Sequence, residues 1–107
     1  MPPDLGQAAE WYKKSAEQGN PAAQLSLADL YAEGKGVQQD LVEAYKWAAI
    51  AGAQKNPEAR DFFESLTAHM TKNQISAGQS LARKWVQEHS LDPENSQTLD
   101  HMLYNKP

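Results

Sequence analysis

The sequence predicts an all-α protein in which pairs of helices stack into a right-handed α-α superhelix of five or six helices. Three observations carry this prediction: a repeat of 36 residues, helix-start signals at regular places in that repeat, and apolar residues spaced three or four apart. The chain has 107 residues, which is the length of one domain. Apolar residues make up 40% of it, enough for a folded core that has to be rich in alanine.

The three tryptophans mark the repeat. Trp11 and Trp47 are 36 residues apart, Trp47 and Trp85 are 38 apart, and an alanine precedes each tryptophan by three residues. A period of this length is typical of helical repeat proteins. Sliding the chain by 36 residues without a gap also pairs identical residues at Asp4/Asp40, Leu5/Leu41, Gln18/Gln54, Asn20/Asn56, Pro21/Pro57 and Ala23/Ala59.

This register divides the chain into a repeat domain over residues 1–90 and a tail over 91–107. In the domain we expect a half repeat at 4–19, a complete repeat at 20–55 and a degenerate C-terminal repeat at 56–90. The half repeat is one helix, with Asp4 as its N-cap and Gly19 at its end. Because it shares the register of the later tryptophan helix, we expect it to bury Ala8, Trp11, Tyr12 and Ser15 or Ala16.

The complete repeat starts at Asn20-Pro21, where asparagine is a good N-cap and proline suits the first helical position. Its first helix should end at Gly34 and bury Ala23, Leu27, Leu30 and Tyr31. Its second helix should start at Asp40, with Glu43 at the capping-box position, and end near Gly52. That helix is expected to bury Leu41, Ala44, Trp47, Ala48 and Ala51.

The degenerate repeat has the same start signal, Asn56-Pro57, but lacks the Gly-x-Gly loop. Its first helix should bury Ala59, Phe63, Leu66 and Met70. Thr71 is then expected to cap a long helix over 72–89 whose apolar face comprises Ile75, Gly78, Leu81, Ala82, Trp85 and Val86. For the tail, the stripe Leu99, Met102 and Leu103 leaves two alternatives, a short capping helix or a frayed end.

These residues resemble the Sel-1-like repeat family, which is related to the tetratricopeptide repeats, and they look like the C-terminal part of a bacterial member. The resemblance covers about residues 4–89, and Ala28 departs from it where the family often has glycine. It implies an α-solenoid adaptor for protein–protein contact without shared catalytic residues. The matching residues are Ala8, Trp11-Tyr12, Ala16, Gly19, Ala23, Leu27, Leu30-Tyr31, Gly34-Lys35-Gly36-Val37, Asp40, Ala44, Trp47, Ala48-Ala49 and Gly52, followed by the closing segment from Ala59 to Trp85.

Composition and spacing argue against most chemical functions. The chain has no cysteine, its net charge is −4, and its basic residues are not clustered, so we expect no thiol chemistry and no nucleic-acid partner. His69, His89 and His101 lack the spacing of metal ligands. Gly34-x-Gly36 joins two helices and lacks the pattern of a phosphate loop. We therefore expect no enzyme activity, no cofactor and no metal; Glu58, Asp61 and Glu64 are interpreted as a solvated face.

Localisation is less constrained. No apolar run approaches the ~20 residues of a membrane helix, so no membrane insertion is expected. The first residues have neither the basic nor the apolar region of a signal peptide, although a longer parent could carry one. The sequence predicts a soluble protein, for which the family resemblance implies a bacterial source, and it leaves cytoplasm and periplasm open.

The surface that remains for function is the predicted concave face, formed by the first helix of each repeat. Phe62 stands out there because Phe63 already fills the core position. A half-exposed aromatic residue among acidic and small residues resembles a binding hot spot, and the alternative is packing against a neighbouring helix. The candidate partner-binding residues are Ser26, Asp29, Glu33, Glu58, Phe62, Ser65 and His69.

The sequence thus predicts a non-enzymatic interaction module, an adaptor that holds a protein or peptide on its concave face. One alternative is an immunity or inhibitor protein that neutralises a secreted bacterial effector. A lesser alternative is a self-associating scaffold, because the exposed ends of a short solenoid can pair into a homo-oligomer.

Overall fold

A computed structural model describes residues 4–89 together with residues 97, 99, 100 and 103. The described residues form five α-helices and no strand: α1 (Leu5–Glu17), α2 (Pro21–Glu33), α3 (Leu41–Ala53), α4 (Ala59–Thr67) and α5 (Lys72–Glu88). Helix α1 packs on α2, α2 on α3, and α3 on both α4 and α5. The predicted all-α stack of helix pairs is confirmed.

Four of the five helices begin at the predicted capping residues. The carboxylate of Asp4 accepts hydrogen bonds from the amides of Gly6 and Gln7. Asn20, Asp40 and Thr71 cap α2, α3 and α5 in the same way. These side chains satisfy amide donors that have no partner within the first helical turn. At Asp40 the expected capping box is half formed, since the Glu43 amide donates to Asp40 while the Glu43 carboxylate pairs with Lys46 at 3.2 Å.

Helix α4 differs from the prediction because it begins at Ala59 rather than at Pro57. The Asn56 side chain does accept a hydrogen bond from the Glu58 amide at 2.9 Å, but residues 57 and 58 form a turn. The side-chain NH2 group of Asn56 also donates to the Pro21 carbonyl oxygen, at 3.4 Å. The repeated Asn-Pro pair therefore starts a helix in the first case and fastens one repeat to the other in the second.

The Gly-x-Gly loop between α2 and α3 needs both glycines. Gly34 has a φ of +71° and its amide donates to the Leu30 carbonyl oxygen at 2.8 Å, which ends α2. Gly36 has a φ of +75°, and a Cβ atom there would overlap the carbonyl oxygen of Leu5. The second glycine thus allows the loop to lie directly on the start of α1.

The core centres on α3. Trp47 and Trp85 are 2% and 7% exposed, and their rings meet edge to face with centroids 5.7 Å apart. Tyr45 and Phe63 pack at 4.6 Å. Gly78 lets α5 approach closely, because a Cβ atom there would overlap the Tyr45 ring. Small alanines between large rings give the dense packing of a helix-pair core.

The expectation that Trp11 is buried is wrong, because its side chain is 67% exposed. Helix α1 instead buries Ala9 and Ala16, seven residues apart, on the side that packs on α2. No described helix covers the other side of α1, where the Trp11 ring meets Tyr12 edge to face at 5.8 Å. Ala8, Tyr12 and Ser15 are half-buried.

Leu81 is a second correction, since it is 37% exposed on α5 while its neighbour Ala82 is fully buried. Of the predicted tail stripe, Leu99 and Leu103 have helical backbone and are buried in the core. Met102 and His101 lie outside the described residues, so the choice between the two tail alternatives stays open.

None of the described helices is long and apolar enough to cross a membrane.

Candidate functional site

The candidate site is a groove between α2 and α4, the first helices of the two successive repeats. Their alignment follows from the repeat, because both helices pack directly on the central helix α3. Two adjoining cavities make up the groove, and Asp29 and Phe62 line both of them. These two residues therefore mark the middle of the site.

The first cavity has a volume of about 490 Å³. Its walls come from α2, from the turn that precedes α4 and from α4 itself. The lining residues are Ala22, Leu25, Ser26, Asp29, Asn56, Pro57, Glu58 and Phe62.

The second cavity has a volume of about 350 Å³ and lies towards the loop between α2 and α3. It has a more apolar floor, supplied by side chains of three helices. The lining residues are Asp29, Ala32, Glu33, Gln39, Leu41, Phe62, Ser65, Leu66 and His69.

The structure brings all seven sequence-predicted site residues together around this groove. Ser26 and Glu58 line the first cavity, and Glu33, Ser65 and His69 line the second. Phe62 combines the two alternatives: its ring is half-buried, packs against the core, and borders both cavities. The role of these residues in binding stays a prediction.

The groove wall formed by α2 carries an acidic pair. Asp29 and Glu33 lie one helical turn apart on α2, and both line the second cavity. Partial burial raises the pKa of Asp29 above its usual 3.8, the nearby Glu33 raises it further, and the positive charge of Lys35 opposes this rise. On Glu33, the hydrogen bond from Lys35, followed by the nearby Asp29, lowers the pKa. The Lys35 ammonium lies 3.0 Å from the Glu33 carboxylate, and this hydrogen bond raises the pKa of Lys35.

The apolar and amide residues of the groove that are not among the predicted site residues include Leu25, Pro57, Gln39 and Leu41. Leu25 could have been found, since it lies three residues after Ala22 and so on the same face of α2. Leu41 was assigned to the core, and it both packs there and borders the second cavity. No sequence pattern indicated that Gln39 lines the groove, because its position depends on how the loop folds back. In that position its side-chain nitrogen donates to the Ala32 carbonyl oxygen at 2.9 Å.

The groove offers contact surface rather than reactive chemistry. Among the described residues, no group of three or more His, Cys, Asp or Glu side chains could hold a metal ion. A smaller cavity of about 270 Å³ lies between α4 and α5, lined by core residues such as Tyr45 and Phe63. Its charged residues, Arg60 and Glu64, already face each other at 3.7 Å.

The family model of the Sel1 repeat matches residues 1–20 and 21–56, which is just over half of the chain. A solved structure also matches: a protective antigen present in uropathogenic Escherichia coli strains, which displays an SLR (Sel1-like repeat) fold. It superposes with a TM-score of 0.78 at 28% identity, over 97% of this chain and 22% of that one. The resemblance stated from the sequence is confirmed.

Two curated relatives are similar over part of the chain. The alginate biosynthesis protein AlgK of Pseudomonas aeruginosa is 30% identical over 69 residues, which are 64% of this chain and 14% of AlgK. An exopolysaccharide production negative regulator of Rhizobium leguminosarum bv. viciae is 40% identical over 60 residues, which are 53% of this chain and 22% of the relative. The chain thus spans less than a quarter of each of these proteins.

Proposed function

We propose that this chain, which belongs to the Sel1 repeat family, is a non-enzymatic binding module that holds a segment of a partner protein in the groove between α2 and α4. The family supports the class of function, because its fold is generally one of protein interaction rather than catalysis. The groove supports the proposed position of the binding site, between α2 and α4.

The single observation that carries the proposal is the position of Phe62. Its half-buried ring borders both cavities, so an apolar side chain entering either one would contact it. Aromatic side chains at the centre of a surface, surrounded by polar ones, supply a large share of the energy at protein interfaces. Two cavities of about 490 and 350 Å³ give a protein segment room for its side chains.

The test compares three baits in affinity capture from a bacterial lysate: wild type, Phe62→Ala and Trp11→Ala. Trp11 is an exposed tryptophan outside the groove, so its variant controls for the loss of any exposed aromatic ring. We expect wild type and Trp11→Ala to retain one partner that Phe62→Ala loses. With the purified partner, calorimetry should show that Phe62→Ala weakens binding by about 2 kcal/mol or more.

Thermal melts of the three proteins accompany the capture, because Phe62 also packs on the core. Binding is measured well below each melting temperature. Equal retention of the partner by all three baits would contradict the groove and direct attention to α1, α3 or the tail.

A second, more specific candidate function is a role in the production of extracellular polysaccharide. Two relatives favour it by name, one from alginate biosynthesis and one from the negative regulation of exopolysaccharide production. Deleting the gene in its host and measuring secreted polysaccharide tests this role, and an unchanged amount would argue against it. The immunity-protein alternative stays a prediction.

A further inference from the structure

We infer that the groove takes a segment in which an arginine or lysine lies one or two positions from a large apolar residue, with the cation between Asp29 and Glu33 and the apolar side chain on Phe62. This inference rests on the proposed function, because it names the chemistry of the occupant of the same groove. Three features of the described residues carry it.

The first feature is the sign of the groove's charge. Asp29, Glu33 and Glu58 line the two cavities, and no lysine or arginine is among the described residues that line them. The whole chain has a net charge of −4. A cleft lined by charges of one sign attracts groups of the opposite charge and repels groups of the same charge. The groove therefore favours a basic segment over an acidic or phosphorylated one.

The second feature is the acidic pair itself. Two carboxyl groups one turn apart on a helix repel each other when both are ionised. Here both line the second cavity, and the negative charge of Glu33 raises the pKa of Asp29. A cation placed between them would replace this repulsion with two attractions. A guanidinium fits best, because its planar fork offers parallel N–H donors to carboxylate oxygens.

Lys35 partly neutralises this pair, since its charge acts to lower the pKa of both Asp29 and Glu33. It pairs with Glu33 at 3.0 Å, but both side chains are about half exposed, and Lys35 does not line either cavity. Exposed ion pairs of this kind contribute little and exchange readily. A partner's cation can therefore compete for Glu33 while it also contacts Asp29.

The third feature is the distance between the acidic and apolar parts. Asp29, Glu33 and Phe62 all line the second cavity, whose floor includes Leu41 and Leu66. A basic side chain at its rim and an apolar one on its floor must then come from positions close together in the bound segment. This proximity sets the spacing of one or two residues.

The experiment is a selection from a random-peptide phage library against wild type, Phe62→Ala and the double variant Asp29→Asn, Glu33→Gln. The double variant keeps the shape of both side chains and removes their charge. Circular dichroism and thermal melts establish that each protein is folded. The strongest selected peptide is then synthesised, together with versions in which its basic residue or its apolar residue is replaced by alanine, and affinities are measured by fluorescence polarisation.

We expect wild type to enrich peptides with arginine or lysine one or two positions from a large apolar residue. The double variant should bind the selected peptide about fivefold more weakly and should lose its preference over the version without the basic residue. Phe62→Ala should lose the preference over the version without the apolar residue.

Two results overturn the inference, and they differ in what they say about the groove. If wild type enriches peptides that need Phe62 but carry no basic residue, or carry acidic ones, the groove binds segments and the predicted chemistry is wrong. If wild type enriches no peptide, or only peptides that Phe62→Ala binds equally well, the proposed binding site fails together with the inference.

Discussion

Trp11 and Trp47 occupy the same position of the repeat and have opposite environments. Trp47 is 2% exposed and meets Trp85 of α5, whereas Trp11 is 67% exposed and meets only its neighbour Tyr12 among the aromatic rings described. The sequences around them are alike, with an alanine three residues before each. The difference lies in the neighbouring helices: α3 is packed by α2, α4 and α5, and α1 mainly by α2.

This contrast shows that a repeat register predicts the direction of a side chain but not whether a neighbouring helix covers it. Ala9 and Ala16 correspond in the register to Tyr45 and Gly52, and all four are buried because they face a neighbouring helix. Trp11 points away from α2, towards a side of α1 that no described helix covers. Burial in a helical stack is thus a property of adjacent repeats rather than of one repeat.

The largest expected effect compares these two tryptophans directly. Trp47→Ala empties the centre of the core and should reduce the free energy of unfolding by about 3–5 kcal/mol. Trp11→Ala removes an exposed ring and should change it by about 0.5 kcal/mol or less. Urea unfolding followed by circular dichroism measures both. Equal losses would mean that Trp11 is covered in solution, for example by a second copy of the chain, which sedimentation at several concentrations would reveal.

Most of the fold could be predicted because it depends on local signals. Asp4, Asn20, Asp40 and Thr71 each bind amides within their own first turn, so the helix starts can be read from a few residues. The start of α4 was predicted two residues early. The Asn56 side-chain oxygen does accept from the Glu58 amide, but residues 57 and 58 form a turn, and the Asn56 side-chain nitrogen contacts the Pro21 carbonyl oxygen in another repeat. Signals that depend on a distant partner are the ones the sequence does not resolve.

The second prediction concerns the contact that fastens α1 to the covered part of the stack. Gln24 is completely buried. Its side-chain nitrogen donates to the Ala16 carbonyl oxygen at 3.0 Å, and its side-chain oxygen accepts from the Gln54 side chain at 2.8 Å. Gln24→Ala removes both hydrogen bonds and leaves Gln54 without this acceptor. The expected loss is about 1–2 kcal/mol, below the full cost of an orphaned group because Ala16 keeps a hydrogen bond from the Gly19 amide at 3.0 Å.

Gln18→Ala is the matched control, since Gln18 is an exposed glutamine at the end of α1. Hydrogen exchange followed by mass spectrometry adds a local measurement. In Gln24→Ala, the amides of α1 should exchange faster than those of α3, because α1 has fewer other contacts. If α1 and α3 lost protection equally, Gln24 would stabilise the whole stack rather than the attachment of its open end.

The groove was predictable for a different reason than the core. Shifting the surface stripe of α2 by one repeat gave the facing stripe of α4, so Asp29 and Phe62 could be placed near each other without knowing the structure. What the sequence did not show is how strongly the Asp29 and Glu33 carboxyl groups interact, because this depends on side-chain rotamers. Gln24 was missed altogether, since a polar residue among alanines resembles a surface position until its partners are known.

The smallest expected effect is the pH dependence of stability that comes from one carboxyl group, Asp29. It tests how far a residue on an open face is still buried. Asp29 lies on the open groove face of α2, yet partial burial, followed by Glu33, raises its pKa above the usual 3.8. The folded state therefore holds this proton more tightly than the unfolded state does. The stability that Asp29 contributes is fully present below pH 3.8 and is lost as the pH rises through its raised pKa.

Replacing Asp29 by asparagine removes this titration. The free energy of unfolding of wild type minus that of Asp29→Asn should accordingly fall as the pH rises from about 3 to about 6, as measured by urea unfolding at each pH. Glu33 has the opposite sign, because its lowered pKa contributes stability that is lost as the pH falls. When the same comparison is made in a Glu33→Gln background, the difference in the free energy of unfolding should still fall with pH, but less steeply. Partial burial, the largest cause of the raised Asp29 pKa, remains in that background. A slope that vanished in that background would assign the whole shift to Glu33 rather than to the partial burial of Asp29.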